Sequence, residues 1–225
     1  MEIKTVLITG ATSGIGKACA CKFAKEGWNL ILNARDTSKL EKLIYELEME
    51  CPKLVTRPLI CDVRDREQVK AALENLPADW KTIDLLINNA GLVIGVDKEF
   101  EGSLDEWDIM IDTNIKGLLT MTRLVVPGMI ERGRGHVINI GSIAGDAAYP
   151  GGSVYCATKA AVKALSDGLR IDLVDTPLRV TNIKPDVAET VYFAASAPEH
   201  IQIAEVLLMP TNQATGTISY KKKSE

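Results

Sequence analysis

Histidine is almost missing from this chain, which has only His136 and His200, and its five cysteines (Cys19, Cys21, Cys51, Cys61 and Cys156) include no C-x-x-C pair. A zinc site needs clustered imidazoles or thiolates, and a disulfide framework needs an even, closely spaced set. Neither pattern is here, so no metal is expected and the thiols are read as reduced and buried. Long apolar runs are missing as well. Residues 5–9 are too short for a signal segment and run directly into glycines, so no membrane span is expected and the location is read as cytoplasmic. No block of one charge stands out beyond Lys221-Lys222-Lys223, and a net charge of −4 with interspersed acids and bases gives no reason to expect nucleic acid. What remains is ordinary globular usage: 46% hydrophobic and 25% charged over 225 residues, enough for a single domain 1–225 with one sizeable core.

Residues 4–9 are β-branched and apolar without polar alternation, the pattern of a strand covered on both faces. They lead into Gly10-Ala11-Thr12-Ser13-Gly14-Ile15-Gly16, after which residues 17–26 read as a helix stopped by Gly27. Glycines in this setting permit a tight turn and close backbone approach, while unpaired helix N–H groups face an anion. A purely structural turn is the plainer reading, but strand, glycine turn and helix together point to a dinucleotide. Residues 29–34 form a second buried strand whose tip reads Asn33-Ala34-Arg35. An acid there would suit a 2′-hydroxyl, whereas a guanidinium suits a 2′-phosphate, so NADP is favoured over NAD. Asp36 is read as helix-start chemistry with Thr37 and Ser38. A third strand, 54–60, ends at Cys61-Asp62-Val63, where Asp62 is either an adenine contact or a helix N-cap. The fourth, 83–87, opens into Asn88-Asn89-Ala90-Gly91, small residues that admit a flat ring and amides that can brace neighbouring main chain.

Residues 107–132 are mostly helical, with a break expected near Pro127-Gly128. Asn114 lies in the first half; a buried mid-helix Asn is costly unless it holds a water or a main-chain carbonyl, and the alternative is a side chain facing solvent. A fifth strand, 135–140, delivers Ser142 at its C-terminal end, where catalytic groups of doubly wound sheets gather. The helix 153–174 begins with Tyr155-Cys156-Ala157-Thr158-Lys159. Residues four apart share a helix face, so Tyr155 and Lys159 project together, and a neighbouring cation lowers a phenol's pKa toward the range useful for proton exchange. The bland alternative is a solvated pair. Strands at 178–183 and 204–209 and a helix at 186–196 complete the chain.

Thr9-Gly10-x-x-x-Gly14-Ile15-Gly16, Asn88-Asn89-Ala90-Gly91, Asn114, Ser142 and Tyr155-x-x-x-Lys159, in this order, resemble the short-chain dehydrogenase/reductase family over nearly the whole chain. Pro77-Ala78-Asp79-Trp80, residues 112–118, Gly151-Gly152 and Met209-Pro210-Thr211-Asn212-Gln213 resemble its NADP-dependent 3-hydroxy acid (serine/allo-threonine) dehydrogenases. The resemblance implies a Rossmann-like, doubly wound α/β fold, with a seven-stranded parallel sheet in the order 3-2-1-4-5-6-7 and helices on both faces. It implies a homotetramer whose dimer contact uses the two long helices. Tyr155 would exchange a proton with the substrate oxygen, Ser142 would hold that oxygen, Lys159 would bind the nicotinamide ribose and depress the Tyr155 pKa, and Asn114 would seat a water. Gly10, Ala11, Thr12, Ser13, Gly14, Ile15, Arg35, Asp62, Val63 and Asn89, with Tyr155 and Lys159, would line NADP.

One departure stands out. In the family a segment that closes over the substrate follows the sixth strand, whereas here Pro185 leads at once to Asp186-Val187-Ala188-Glu189, which looks like the helix beyond it. The lid is expected to be either missing from the protein or disordered between 185 and 186; disorder is favoured, because flexible lids are common. The function implied is hydride transfer between NADP and the 3-hydroxyl or 3-oxo group of a small hydroxy acid. A 3-oxoacyl-carrier or broad carbonyl reductase is the alternative, which should show a basic docking surface at the site mouth, with Arg123, Arg132 and Arg134 as possible members. A non-catalytic NADP sensor is the alternative of another class, disfavoured by the intact Ser/Tyr/Lys set.

Overall fold

The computed structural model describes residues 4–184 and 188–209. The Pro185–Asp186 junction, the tail pattern from Pro210 onward and the lysine run at 221–223 lie outside those residues. Seven strands form one sheet: β1 (Thr5–Ile8), β2 (Asn29–Ala34), β3 (Thr56–Ile60), β4 (Leu85–Asn88), β5 (His136–Ile140), β6 (Arg179–Lys184) and β7 (Glu205–Leu207). Their order is β3-β2-β1-β4-β5-β6-β7 and every neighbouring pair is parallel, as the family resemblance implies.

Side-chain alternation explains why both faces are covered. Val6 and Ile8 of β1, Leu30 and Leu32 of β2, and Leu85 and Ile87 of β4 enter one core, while Leu7, Ile31 and Leu86 enter the other. The first core is closed by α1 (Gly14–Lys25), α2 (Thr37–Glu50) and α7 (Ala188–Ser196), which contribute Phe23, Leu40, Leu47 and Val191. The second is closed by α3 (Arg66–Glu74), α5 (Leu118–Arg132) and α6 (Ser153–Asp172), through Val69, Met121, Met129 and the partly buried Leu169. Each buried Leu or Ile stabilises the fold by about 1.5–3 kcal/mol. Pro58 sits in β3, an edge strand, where a missing N–H costs no ladder bond on the outer side.

The helix expected to break at Pro127 does not. Pro127 lies inside α5, and Arg123, whose carbonyl loses its partner, is exposed to water. The discontinuity falls earlier: α4 (Leu104–Ile111) passes into a π-helical stretch, Asp112–Gly117, before α5 begins. That wider turn carries Asn114.

At the opposite, N-terminal edge of the sheet His136 is buried. Its Nε2 lies 2.8 Å from Thr181 Oγ1, and Thr181 donates its own proton to the Ile203 carbonyl at 2.6 Å. Nε2 therefore carries the ring proton and Nδ1 is a bare acceptor without a partner among the described residues. Burial, with the Arg179 charge beside it, pushes the imidazole down to about 3. The folded state resists protonating this ring while the unfolded state accepts the proton near pH 6.5, so its contribution is complete above that value and is lost progressively toward pH 3. We expect about 2 kcal/mol of stability to disappear between pH 6.5 and 5 from this group. Chemical denaturation of wild type and His136→Asn across that range checks it: the variant should show the flatter profile, and equal slopes would clear His136 of the effect.

Candidate active site

The C-terminal edge of the sheet opens into a crevice of about 670 Å³. Gly10, Thr12, Ser13, Gly14 and Ile15 line it from the first turn, Arg35 from the tip of β2, Asp62 and Val63 from the end of β3, and Asn89 from the end of β4. Ser142, Tyr155 and Lys159 line it beyond β5. Of the residues anticipated from sequence, Ala11 and Asn114 do not line it. Ala11 is fully buried beneath the turn, its N–H donating to the Asn33 carbonyl at 3.0 Å, and Asn114 lies behind Gly91.

The first turn is shaped for an anion. Gly10 takes φ +62°, open to glycine at little cost, and a Cβ there would stand 3.0 Å from Ala90 Cα. Ser13 caps α1 in extended conformation but offers its side chain to no helix N–H, and the first turn holds no acid. The orphan N–H groups and the positive end of the helix dipole thus face the crevice. Asn89 braces the floor: its Nδ2 donates to the Thr9 carbonyl at 2.8 Å and the Gly10 carbonyl at 3.1 Å, while Thr9 Oγ1 accepts from the N–H groups of Asn89 and Ala90, both at 2.9 Å. These observations suit a dinucleotide, with Arg35, two-thirds exposed, as the cation at the 2′ position.

Asp36 caps α2, accepting from the Lys39 N–H at 3.1 Å, as its sequence position suggests. Of the two readings of Asp62, the helix N-cap is not the one found. Asp65 caps α3, whereas Asp62 turns its carboxylate onto Arg64. Arg64 is the crevice residue that sequence reasoning passed over, and Gly91, Leu92 and Thr113 also line the site. The signal for Arg64 was an Asp followed two residues later by a base, the local turn in which a carboxylate meets the N–H of residue i+2.

At the lip, Tyr155 and Lys159 lie on one face of α6, with Lys159 Nζ 5.9 Å from the centre of the Tyr155 ring. Lys159 is only 7% exposed and donates to the Ile140 carbonyl at 2.8 Å. Burial pushes its ammonium down to about 8. The Tyr155 phenol is pushed up by burial, with a hydrogen bond toward Ser142 pulling the other way. The depression by Lys159 that sequence suggests is therefore not what this chain shows by itself: burial dominates at the phenol, and Lys159 gives one of its N–H groups to the Ile140 carbonyl. Ser142 follows β5 and starts a 3-10 turn, Ile143–Gly145, its hydroxyl accepting from the Ala144 N–H at 3.1 Å. Asn114, 2% exposed, takes the carbonyl-holding alternative. Its Nδ2 donates to the Leu92 carbonyl at 2.9 Å and Thr158 Oγ1 at 3.0 Å, and its Oδ1 accepts from the Leu92 N–H at 2.8 Å. A Cβ on Gly91 would lie 3.2 Å from Asn114 Oδ1 and 3.5 Å from Lys159 Nζ, so these two groups share one wall.

A parallel α/β sheet with an anion-ready first turn and a phenol beside a buried amine defines the class as a dinucleotide-binding α/β protein equipped for proton exchange. Within that class, the pattern of the short chain dehydrogenase family matches residues 4–200. The chain is 40% identical to the NADP-dependent 3-hydroxy acid dehydrogenase YdfG of Salmonella typhi, over 95% of this chain and 98% of that one. It is 37% identical to the NADP-dependent 3-hydroxy acid dehydrogenase of Schizosaccharomyces pombe, over 100% of this chain and 99% of the other. Among solved structures, the closed form of serine dehydrogenase complexed with NADP+ superposes with a TM-score of 0.89 at 38% identity, covering 97% of this chain and 100% of that one. The chain belongs to the short-chain dehydrogenase/reductase family.

Gly16 tests the cradle. A Cβ there would collide with the Gly10 carbonyl oxygen and the Asn89 amide, so Gly16→Ala must move the turn that both groups shape. Dinucleotide affinity, read by calorimetry, is expected to fall about tenfold or more while the fold survives, because overpacking one methyl group costs roughly 1–3 kcal/mol.

Proposed function

We propose that this chain is an NADP-dependent oxidoreductase that moves a hydride between nicotinamide and the 3-hydroxyl or 3-oxo group of a small hydroxy acid, of the serine or 3-hydroxypropionate kind. The observation that carries the reading is the convergence of Ser142, Tyr155 and Lys159 on the lip of a glycine-floored crevice whose rim presents Arg35. The relatives named above for 3-hydroxy acid and serine oxidation support the substrate class. Bound NADP would supply the hydride acceptor, and NADPH the donor. Tyr155 takes the hydroxyl proton in oxidation and returns it in reduction. Ser142, already beside the phenol, holds the substrate oxygen, and Lys159 holds the nicotinamide ribose. Asn114 fixes the Leu92 main chain against the wall it shares with Lys159, where a water would pass protons onward.

Two of the three arginines considered for the carrier-reductase alternative lie away from the crevice. Arg132 donates to the Ile83 carbonyl and Arg134 pairs with Asp84, both at the N-terminal ends of the strands, opposite the crevice. As part of the same proposal, residues 1–225 act as one NADP-binding and catalytic domain, and the working state is a cytoplasmic homotetramer. Apolar Leu119, Leu124 and Ile130 on α5 and Ile171 on α6 are exposed in the single chain, which supports an assembled state.

Absorbance of NADPH followed with L-serine, 3-hydroxybutyrate and a 3-oxoacyl thioester is the direct test. Turnover should be found with the hydroxy acids, and Tyr155→Phe should lose about 10²–10⁴-fold in kcat with little change in NADP affinity. Equal rates in the two proteins would remove Tyr155 from its role. Arg35→Ala should weaken NADP by roughly 10–100-fold and NAD much less, the size of a lost charge-assisted hydrogen bond; an unchanged preference would show that Arg35 does not read the 2′ position.

A further inference from the structure

We propose that Arg64 sets the cofactor preference by neutralising Asp62, so that Arg35, among the described residues of this rim, stays available as the cation at the 2′-phosphate position. The inference rests on the dinucleotide reading of the crevice and not on the identity of the substrate.

Five charged side chains line the same rim: Arg35, Asp36, Lys39, Asp62 and Arg64. Each of the two acids already has a cation beside it. Arg64 Nε lies 3.0 Å from both carboxylate oxygens of Asp62, its Nη2 lies 2.6 Å from Oδ2, and its own N–H reaches Oδ1 at 3.0 Å. Lys39 Nζ stands 3.4 Å from Asp36, whose other oxygen accepts the Lys39 N–H. Among the described residues Arg35 comes within 3.8 Å of Asp62 Oδ2, and its side chain is 66% exposed.

The arrangement matters because Asp62 stands where it can do harm. An unpaired carboxylate there would both draw the Arg35 guanidinium toward itself and repel a phosphate dianion. Arg64 removes both effects from two residues away, with a two-pronged geometry that a lysine cannot reproduce. Its hydrogen bonds are also the leading cause holding the Asp62 carboxyl below the usual range. With both Asp62 oxygens already accepting N–H groups, an adenine amine would have to share them, so the carboxylate's chief partner is Arg64.

The test is binding without substrate. Dissociation constants for NADP and NAD, measured by calorimetry, are compared for wild type, Arg64→Met, Asp62→Asn and the double variant, with thermal melts confirming the fold. Arg64→Met is expected to weaken NADP by about tenfold or more and NAD by no more than about twofold, and adding Asp62→Asn should return NADP affinity to near the wild-type value. Asp62→Asn alone, which also serves if Arg64→Met fails to fold, should hold or tighten NADP, because it frees a second cation. Equal weakening of NADP and NAD in Arg64→Met would overturn the proposal, as would a failure of Asp62→Asn to rescue, or a loss of both nucleotides in Asp62→Asn alone. A wild-type chain that binds neither nucleotide would overturn the crevice reading itself, whereas nucleotide binding without hydroxy acid turnover would fault only the substrate assignment.

Discussion

An ammonium group taken out of water has to find compensation or lose its proton, and Lys159 is where this fold meets that demand. The carbonyl of Ile140 provides it, at 2.8 Å, and in doing so ties α6 to the end of β5. Tyr155, one turn earlier on α6, is thereby held at the mouth of the crevice, and Ser142, two residues past Ile140, arrives beside it. A Cβ on Gly91 would stand tightly against Asn114 Oδ1, at 3.2 Å, and in ordinary contact with Lys159 Nζ, at 3.5 Å. Thr158 extends the same constraint to Asn114 through a 3.0 Å bond, so the π-helical stretch and α6 are registered against each other by polar contacts rather than by apolar packing alone. Moving the amine would disturb each of these positions.

The other half of the crevice works by charge bookkeeping over a shorter range. Strand ends of a parallel sheet all face one way, so the tips of β2 and β3 bring Arg35 and Asp62 within 3.8 Å of each other although they are distant in sequence. Proximity of opposite charges would by itself collapse the cation onto the acid. Arg64 and Lys39 give each acid on this rim a nearer partner, and Arg35 is left projecting.

Much of this could be read from the amino acids because the features involved are local. The glycine turn follows a buried strand directly, the i,i+4 spacing puts Tyr155 and Lys159 on one face, and Asp36 announces a helix start. The strand order came through family resemblance, since parallel pairing is fixed by contacts across the whole chain. What stayed hidden depends on three-dimensional surroundings. Proline rules place a break at Pro127, yet an exposed carbonyl one turn earlier can turn to water, and the discontinuity moved to Asp112–Gly117 where Asn114 needed a new direction. The pKa order of the Tyr155–Lys159 pair also escaped sequence, because spacing reports proximity and says nothing of burial.

Stability and chemistry occupy opposite ends of the strands, and that separation bears on how α7 is held. β6 ends at Lys184 and α7 begins at Ala188. Tyr192 of α7 meets Phe23 of α1 edge-on at 5.4 Å, Lys22 lies 4.8 Å over the Tyr192 ring, and Val191 and Ala194 are fully buried, so α7 closes its face of the sheet through its own packing. At the far edge, Arg179 donates to the carbonyls of Ala195 and Ala197 and holds the end of α7 independently of anything beyond β6. Packing of α7 is thus anchored at the ends of the strands opposite to those that carry Ser142 and Tyr155, so the core on that face and the groups of the crevice are set independently.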